Sequence, residues 1–223
     1  SAIGLPDATR PVLFAMAADT PGDLLQALRQ LSVESRTTST TALSQLARHC
    51  HRKHNRSTAK QAVSLLAATI PQLQDLIETA TTSIEQGQAC ADGNLFYSPQ
   101  PLGPGAGVAL VFPGSGNHFH GMGREAAACW PAVLDKLDAE NAHLADQFAH
   151  SKFWSYPAAP DLTHQDLILG QVWLGTLMSD IVTSFDLRPD AVIGYSLGET
   201  AGLFATRAWR DRDQMLQRMH NST

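Results

Sequence analysis

The chain has 223 residues, 43% hydrophobic and 17% charged, a composition suited to a folded globular protein of one large or two small domains. Its formal net charge of −5 disfavours a nucleic-acid partner, and no uninterrupted apolar run approaches a membrane span, so no membrane partner is expected. The N-terminus shows no basic stretch leading into an apolar signal core, and the three widely spaced cysteines (Cys50, Cys90, Cys129) suit a reducing compartment, so a cytoplasmic location is expected.

Residues 11–18 form a short apolar run that predicts a buried strand. Asp19-Thr20-Pro21-Gly22-Asp23 then supplies a cap and a helix-start proline, with Leu24, Leu25, Leu28 and Leu31 following at helical spacing. A polar stretch at 35–41 leads to a short helix over 42–49, and Arg48–Arg56 reads as a solvated basic loop carrying three histidines. Cys50 sits between His49 and His51, with His54 close by. Adjacent helical residues point in different directions and no second ligand cluster follows, so no metal site is expected. Residues 61–67 predict a strand and 70–86 a helix with Leu73, Leu76 and Ile77 on one face. The prolines and glycines of 98–107 cannot continue a helix and mark a boundary between domains at 1–106 and 107–223.

The second domain opens with a strand at 108–112 that ends in the turn Pro113-Gly114-Ser115-Gly116. A helical stretch from Met122 to about Phe148 is interrupted at Trp130-Pro131, and 151–163 reads as loop with Phe153, Trp154 and Tyr156 as anchors. A helix over 165–185 carries Leu167, Gln171, Leu174, Met178, Ile181 and Val182 on one stripe. Strand 191–194 and a helix over 198–207 follow. Two strands that end in glycine turns, with helices between them, predict an α/β fold with neighbouring parallel strands and a site at their carboxyl ends.

That last strand runs into Gly194-Tyr195-Ser196-Leu197-Gly198 and then directly into a helix, the order a nucleophile elbow requires. A serine at such a bend holds its hydroxyl clear of the sheet at the positive end of the helix. An acyl-transfer site also needs a base and two N–H donors for the tetrahedral oxyanion. The backbone N–H of Leu197 offers one donor, and that of Ser115, at the end of the other strand, a second. Only His220 follows Ser196 in the chain, and His118 and His120 lie beyond the first glycine turn, so the identity of the base stays open.

These residues resemble a known family. Val111-Phe-Pro-Gly-Ser-Gly-Asn-His-Phe-His-Gly-Met-Gly123 and Pro189-Asp-Ala-Val-Ile-Gly-Tyr-Ser-Leu-Gly-Glu199 are similar to the two signature motifs of malonyl/acyl-CoA:acyl-carrier-protein transacylases, in the same order and at about the same spacing. Residues 1–106 resemble, less specifically, the ketosynthase–acyltransferase linker of type I polyketide and polyunsaturated-fatty-acid synthases, through Leu46-Ala-Arg, His54-Asn-Arg56 and Ala62-Val-Ser. The resemblance implies a small α/β linker subdomain followed by the first part of an α/β-hydrolase-like acyltransferase core, C-terminally truncated. The family's catalytic histidine and ferredoxin-like insert would fall beyond residue 223.

The resemblance also assigns roles. Ser196 would take an acyl group from coenzyme A and pass it to the phosphopantetheine thiol of an acyl carrier protein, with the Leu197 and Ser115 amides as oxyanion donors. No permanently bound cofactor is implied, and a ketosynthase domain would be the neighbour. Tyr195 stands where the family usually has histidine, and Ser115 and His118 where it usually has glutamines. The arginine that pairs a malonyl carboxylate falls at Asn221, which leaves Arg218 as the nearest candidate beside Tyr195 and His118 for substrate contact. Two other readings remain: a serine hydrolase or thioesterase, with water as acceptor, and a non-catalytic docking segment of a megasynthase.

Overall fold

The computed structural model describes residues 11–39, 42–54, 59–102, 105–140, 150–155 and 162–221, and the chain divides into two units, Ser1–Ala106 and Gly107–Thr223. In the first, β1 (Val12–Ala18) and β2 (Gln61–Ala67) pair antiparallel in the register Val12↔Ala67 to Ala18↔Gln61. Every second residue is buried: Phe14, Met16 and Ala18 on one strand, Val63, Leu65 and Ala67 on the other. The helices α1 (Pro21–Arg36) and α3 (Ile70–Glu85) contribute Leu24, Leu28, Leu31, Leu73, Ile77 and Ile84 to the same core. Both start alike, with a threonine cap (Thr20, Thr69) accepting a backbone N–H three residues on and a proline in the first turn.

Two features depart from the sequence reading. The basic segment expected as a loop from Arg48 is helical as far as His54, within α2 (Leu43–His54); residues 55 and 56 lie outside the described set. Leu43, Leu46, Ala47 and Cys50 form a buried stripe at helical spacing, and the basic side chains gather in the last turn, where they complement the helix dipole. Cys50 is therefore a core residue, and burial, with Glu34 nearby, pushes its thiol up to about 11. A hairpin that the sequence reading lacked, β3 (Cys90–Asp92) and β4 (Leu95–Tyr97), completes a four-stranded sheet in the order β1-β2-β4-β3.

In the second unit β5 (Ala109–Phe112) and β6 (Ala191–Gly194) are parallel neighbours in the register Ala109↔Ala191 to Phe112↔Gly194. The helix after the first glycine turn breaks at Trp130 into α4 (Arg124–Cys129) and α5 (Pro131–Ala139), as the Trp-Pro pair requires; the expected continuation over 141–148 lies outside the described residues. Within the segment expected as loop, α6 (His150–Trp154) is helical and buries Phe153, whereas Tyr156 lies outside the described residues. Trp154 Nε1 donates to Met122 O at 2.8 Å and Gly121 N to Phe153 O at 2.8 Å, tying α6 to the turn over Gly121–Gly123. Gly123 adopts φ 74°, and a Cβ there would reach within 3.1 Å of Trp173 Cη2, so a larger residue fits neither the backbone nor the space.

The long helix α7 (His164–Thr183) begins with a reciprocal cap between Thr163 and Asp166. Its core-facing residues are Leu169, Val172, Trp173, Leu177 and Ile181. The expected stripe is split: Ile181 is in the core, but Gln171, Leu174, Met178 and Val182 line an open cleft. The helix is apolar around most of its circumference, so periodicity alone does not say which face is covered. α8 (Leu197–Ala205) follows β6, and α9 (Arg212–His220) closes the chain. No helix among the described residues is long and apolar enough to cross a membrane.

Candidate active site

The site is built by the way α8 docks on the end of β5. Tyr195 N donates to Phe112 O at 3.1 Å, extending the β5–β6 ladder one residue beyond the strands. The chain then reverses at Ser196, whose φ of 54° and ψ of −118° are unusual for a residue with a side chain. Gly198 N donates to Tyr195 O at 2.9 Å and Glu199 N to Ser196 O at 3.0 Å, which starts α8 at once. A Cβ at Gly198 would lie inside the carbonyl oxygen of Phe112, 2.7 Å from Phe112 C and 2.8 Å from Pro113 O. At Gly194 it would lie 2.5 Å from Glu199 Cα. Glycine at both positions lets the helix start press against the strand end.

The turn after β5 lies directly beside this bend. A Cβ on Gly114 would stand 2.8 Å from the Tyr195 ring and 3.2 Å from its carbonyl oxygen, and Asn117 Nδ2 donates to Gly114 O at 2.8 Å to hold the turn. Asp190 fastens the other end of the strand pair: its carboxylate accepts from Val108 N at 2.8 Å while its own N–H donates to Val108 O at 2.8 Å.

Of the residues singled out in the sequence, the structure brings four together. Ser196 is exposed at the carboxyl end of β6. Leu197 is the first residue of α8, where helix N–H groups lack intrahelical partners. Ser115 lies in the adjacent turn, and Tyr195, 77% exposed, covers Gly114. Neither the Leu197 nor the Ser115 amide donates to another group among the described residues. Two bare donors beside an exposed serine hydroxyl can receive a developing oxyanion.

The other two stand apart. His118 is exposed and makes no hydrogen bond to Ser196 among the described residues. Arg218 is exposed on α9, one turn beyond Met215, which shares a buried cluster with Phe204 against which Leu197 packs. The sequence reading missed Asn117, whose signal is an Asn three residues after a turn carbonyl. It also missed Arg207, just past α8 at φ 57°, whose guanidinium holds Asp180 of α7 at 2.6 Å through both nitrogens and Glu140 at 3.0 and 3.2 Å. These bonds, above all those to Asp180, outweigh its burial and raise its pKa further.

The fold and the site define an α/β protein with a strand–turn–helix elbow at the carboxyl ends of parallel strands. More particularly, the fold is that of the acyltransferase domains of polyketide synthases. The chain superposes on the acyltransferase domain of ZmaA with a TM-score of 0.60 at 13% identity, covering 90% of this chain and 45% of that one. For the acyltransferase domain from module 8 of the salinomycin polyketide synthase the values are 0.58, 20%, 91% and 46%.

By sequence it is similar to polyketide synthase GfsA of Streptomyces halstedii, 29% identical over 153 residues, 65% of this chain and 2% of that protein. It is also similar to highly reducing polyketide synthase 40 of Fusarium pseudograminearum (strain CS3096), 32% identical over 127 residues, 54% of this chain and 5% of that protein. Mycoketide-CoA synthase of Mycobacterium tuberculosis (strain ATCC 25618 / H37Rv) is 33% identical over 114 residues, 48% of this chain and 3% of that protein. No protein-family model matches the chain. The chain spans less than half of the solved acyltransferase chains it resembles and a few per cent of the curated synthases.

Proposed function

We propose that this chain is the serine-bearing part of a synthase acyltransferase, with residues 1–106 as its ketosynthase–acyltransferase linker and 107–223 as the N-terminal part of the acyltransferase domain. The observation that carries the reading is the juxtaposition of Ser196, in its strained elbow, with the unpartnered amides of Leu197 and Ser115. Ser196 Oγ attacks the thioester carbonyl of an acyl-coenzyme A. The two amides hold the tetrahedral oxyanion, the C–S bond breaks, and coenzyme A departs as a thiol carrying the proton that the serine gives up. In the second half the phosphopantetheine thiol of an acyl carrier protein attacks the serine ester. The C–O bond breaks and the thiol's proton returns to Oγ.

A general base must relay those protons, and no described histidine bonds Ser196. The chain by itself therefore loads once and slowly and does not turn over. Arg218, Tyr195 and His118 are the proposed contacts for the acyl group and its carrier. No resident cofactor takes part; acyl-coenzyme A is substrate, and a carrier protein and a ketosynthase are the partners.

Incubation with labelled malonyl- and acetyl-coenzyme A, followed by addition of a carrier protein, tests the reading. One equivalent of label on the chain, passed on in a single round, is expected. Hydrolysis of p-nitrophenyl esters that stops in Ser196→Ala would instead make the protein a hydrolase, and absence of any adduct would leave it a docking segment.

A further inference from the structure

Parallel sheets are normally covered on both faces and flanked by further strands, yet β5 and β6 form a two-stranded parallel sheet. On one face Val111 and Ile193 are 70% and 57% exposed. The edge of β5 away from β6 is open as well. Phe112 O accepts from Tyr195 N, so Phe112 and, by alternation, Leu110 turn their backbone groups toward β6. Ala109 and Val111 then turn theirs outward, and neither has a hydrogen-bond partner beyond the strand ladder among the described residues.

A cleft of about 250 Å3 runs along this edge. Its wall includes the four successive residues 110–113; since neighbouring strand residues point to opposite faces, a cavity touching all four follows the strand's side. Leu174, Met178 and Val182 of α7 form the opposite wall, and Leu197 its end nearest the elbow. The lining is apolar apart from Asn117, Gln171 and Ser179, so a strongly charged partner does not fit.

We propose that the β5 edge and this cleft are a docking surface for polypeptide that completes an acyltransferase-type domain: a further strand bonded to Ala109 and Val111, with apolar side chains filling the cleft. The solved acyltransferase chains name that occupant, because this chain matches only 42–46% of their length with the same fold, leaving more than half of each domain outside the match. An unpaired strand edge bordered by apolar surface is a template for strand addition. The proposal rests on the fold alone and not on the acyl chemistry of Ser196, so either can fail without the other.

The test is residue-resolved amide hydrogen exchange on the full chain, alone and after addition of the part of the salinomycin module 8 acyltransferase domain outside the match, supplied as a separate polypeptide. Alone, Ala109 and Val111 are expected to exchange at least 100-fold faster than Leu110 and Phe112. With the added polypeptide their exchange is expected to slow by at least 100-fold, and Met178→Asp is expected to abolish that slowing while leaving the melting temperature of the free chain unchanged. Protection of all four amides in the free chain, accompanied by concentration-dependent dimerisation, would assign the edge to a second copy and overturn the proposal. Unchanged exchange after addition of the polypeptide would overturn it too.

Discussion

Substituting Gly198→Ala probes how tightly the helix start is pressed against β5. The added Cβ would stand 2.7 Å from Phe112 C and 2.8 Å from Pro113 O, against a floor of 3.0 Å and an ordinary contact of 3.4–4 Å. Every atom it meets is backbone, so no rotamer change relieves the clash. The N-terminus of α8 must retreat from the strand by roughly 0.5–1 Å, a displacement of the size that costs a pre-organised site on the order of 100-fold in rate. Overpacking of this kind costs about 1–3 kcal/mol, and for a unit of this size that lowers Tm by on the order of 5 °C. The retreat carries the Leu197 amide away from the Ser115 amide, so the loss of acylation rate should exceed what the loss of folded protein explains. The assay is single-turnover acylation of the chain by acyl-coenzyme A, followed by intact mass, with Tm measured in parallel. Gly105→Ala, where a Cβ meets nothing within 4 Å, is the control and should change neither. A Gly198→Ala chain that acylates at the wild-type rate would refute the argument that this close approach sets the donor geometry.

The strained bend at Ser196 suits glycine better than serine, so Ser196→Gly is expected to stabilise the chain by about 1 kcal/mol while abolishing acylation; denaturant midpoints and intact mass read the two effects. Arg207→Ala removes a clamp on two carboxylates and leaves Asp180, largely shielded from water, without its partner, so a loss of about 1–3 kcal/mol in urea unfolding is expected, smaller for Arg207→Gly because its backbone is left-handed. At Asp166 partial burial works to raise the carboxyl pKa, but the Lys152 ammonium at 2.6 Å and the bonds from Thr163 outweigh it, and the net shift is downward. A lowered folded-state pKa stabilises the chain above the unfolded carboxyl value and loses that contribution as pH falls through the folded one. Asp166→Asn should therefore reduce Tm at pH 7 and flatten the loss of stability below about pH 4.

Much of the architecture was legible because its signals are local. β5 and β6 are short apolar runs that end in glycine turns, and their parallel pairing follows from the helices between them. The threonine caps before Pro21 and Ile70 and the break at Trp130 follow from rules that act within a few residues. The hairpin over Cys90–Tyr97 was not legible, because strands of three residues are too short to show an alternation. The extent of α2 was hidden by its charge: a run of Arg, His and Lys reads as loop unless the stripe from Leu43 to Cys50 is followed through it.

Around the site, the serine bend and the turn at 113–116 announce themselves through glycine spacing, while the contacts that hold them do not. Arg207 reaches carboxylates 27 and 67 residues away in the chain, and no local pattern encodes such a pairing. The cleft beside β5 was equally hidden, since Leu174 and Met178 carry the same hydrophobic signal as the residues that α7 buries.

The most direct measurement of the central claim is peptide mapping by fragmentation mass spectrometry after exposure of the whole chain to malonyl- or acetyl-coenzyme A. The account predicts a single acyl group esterified to Ser196, none on Ser115 or the cysteines, and no label at all in Ser196→Ala. Label distributed over other serines or over Cys129, or undiminished in Ser196→Ala, would contradict it.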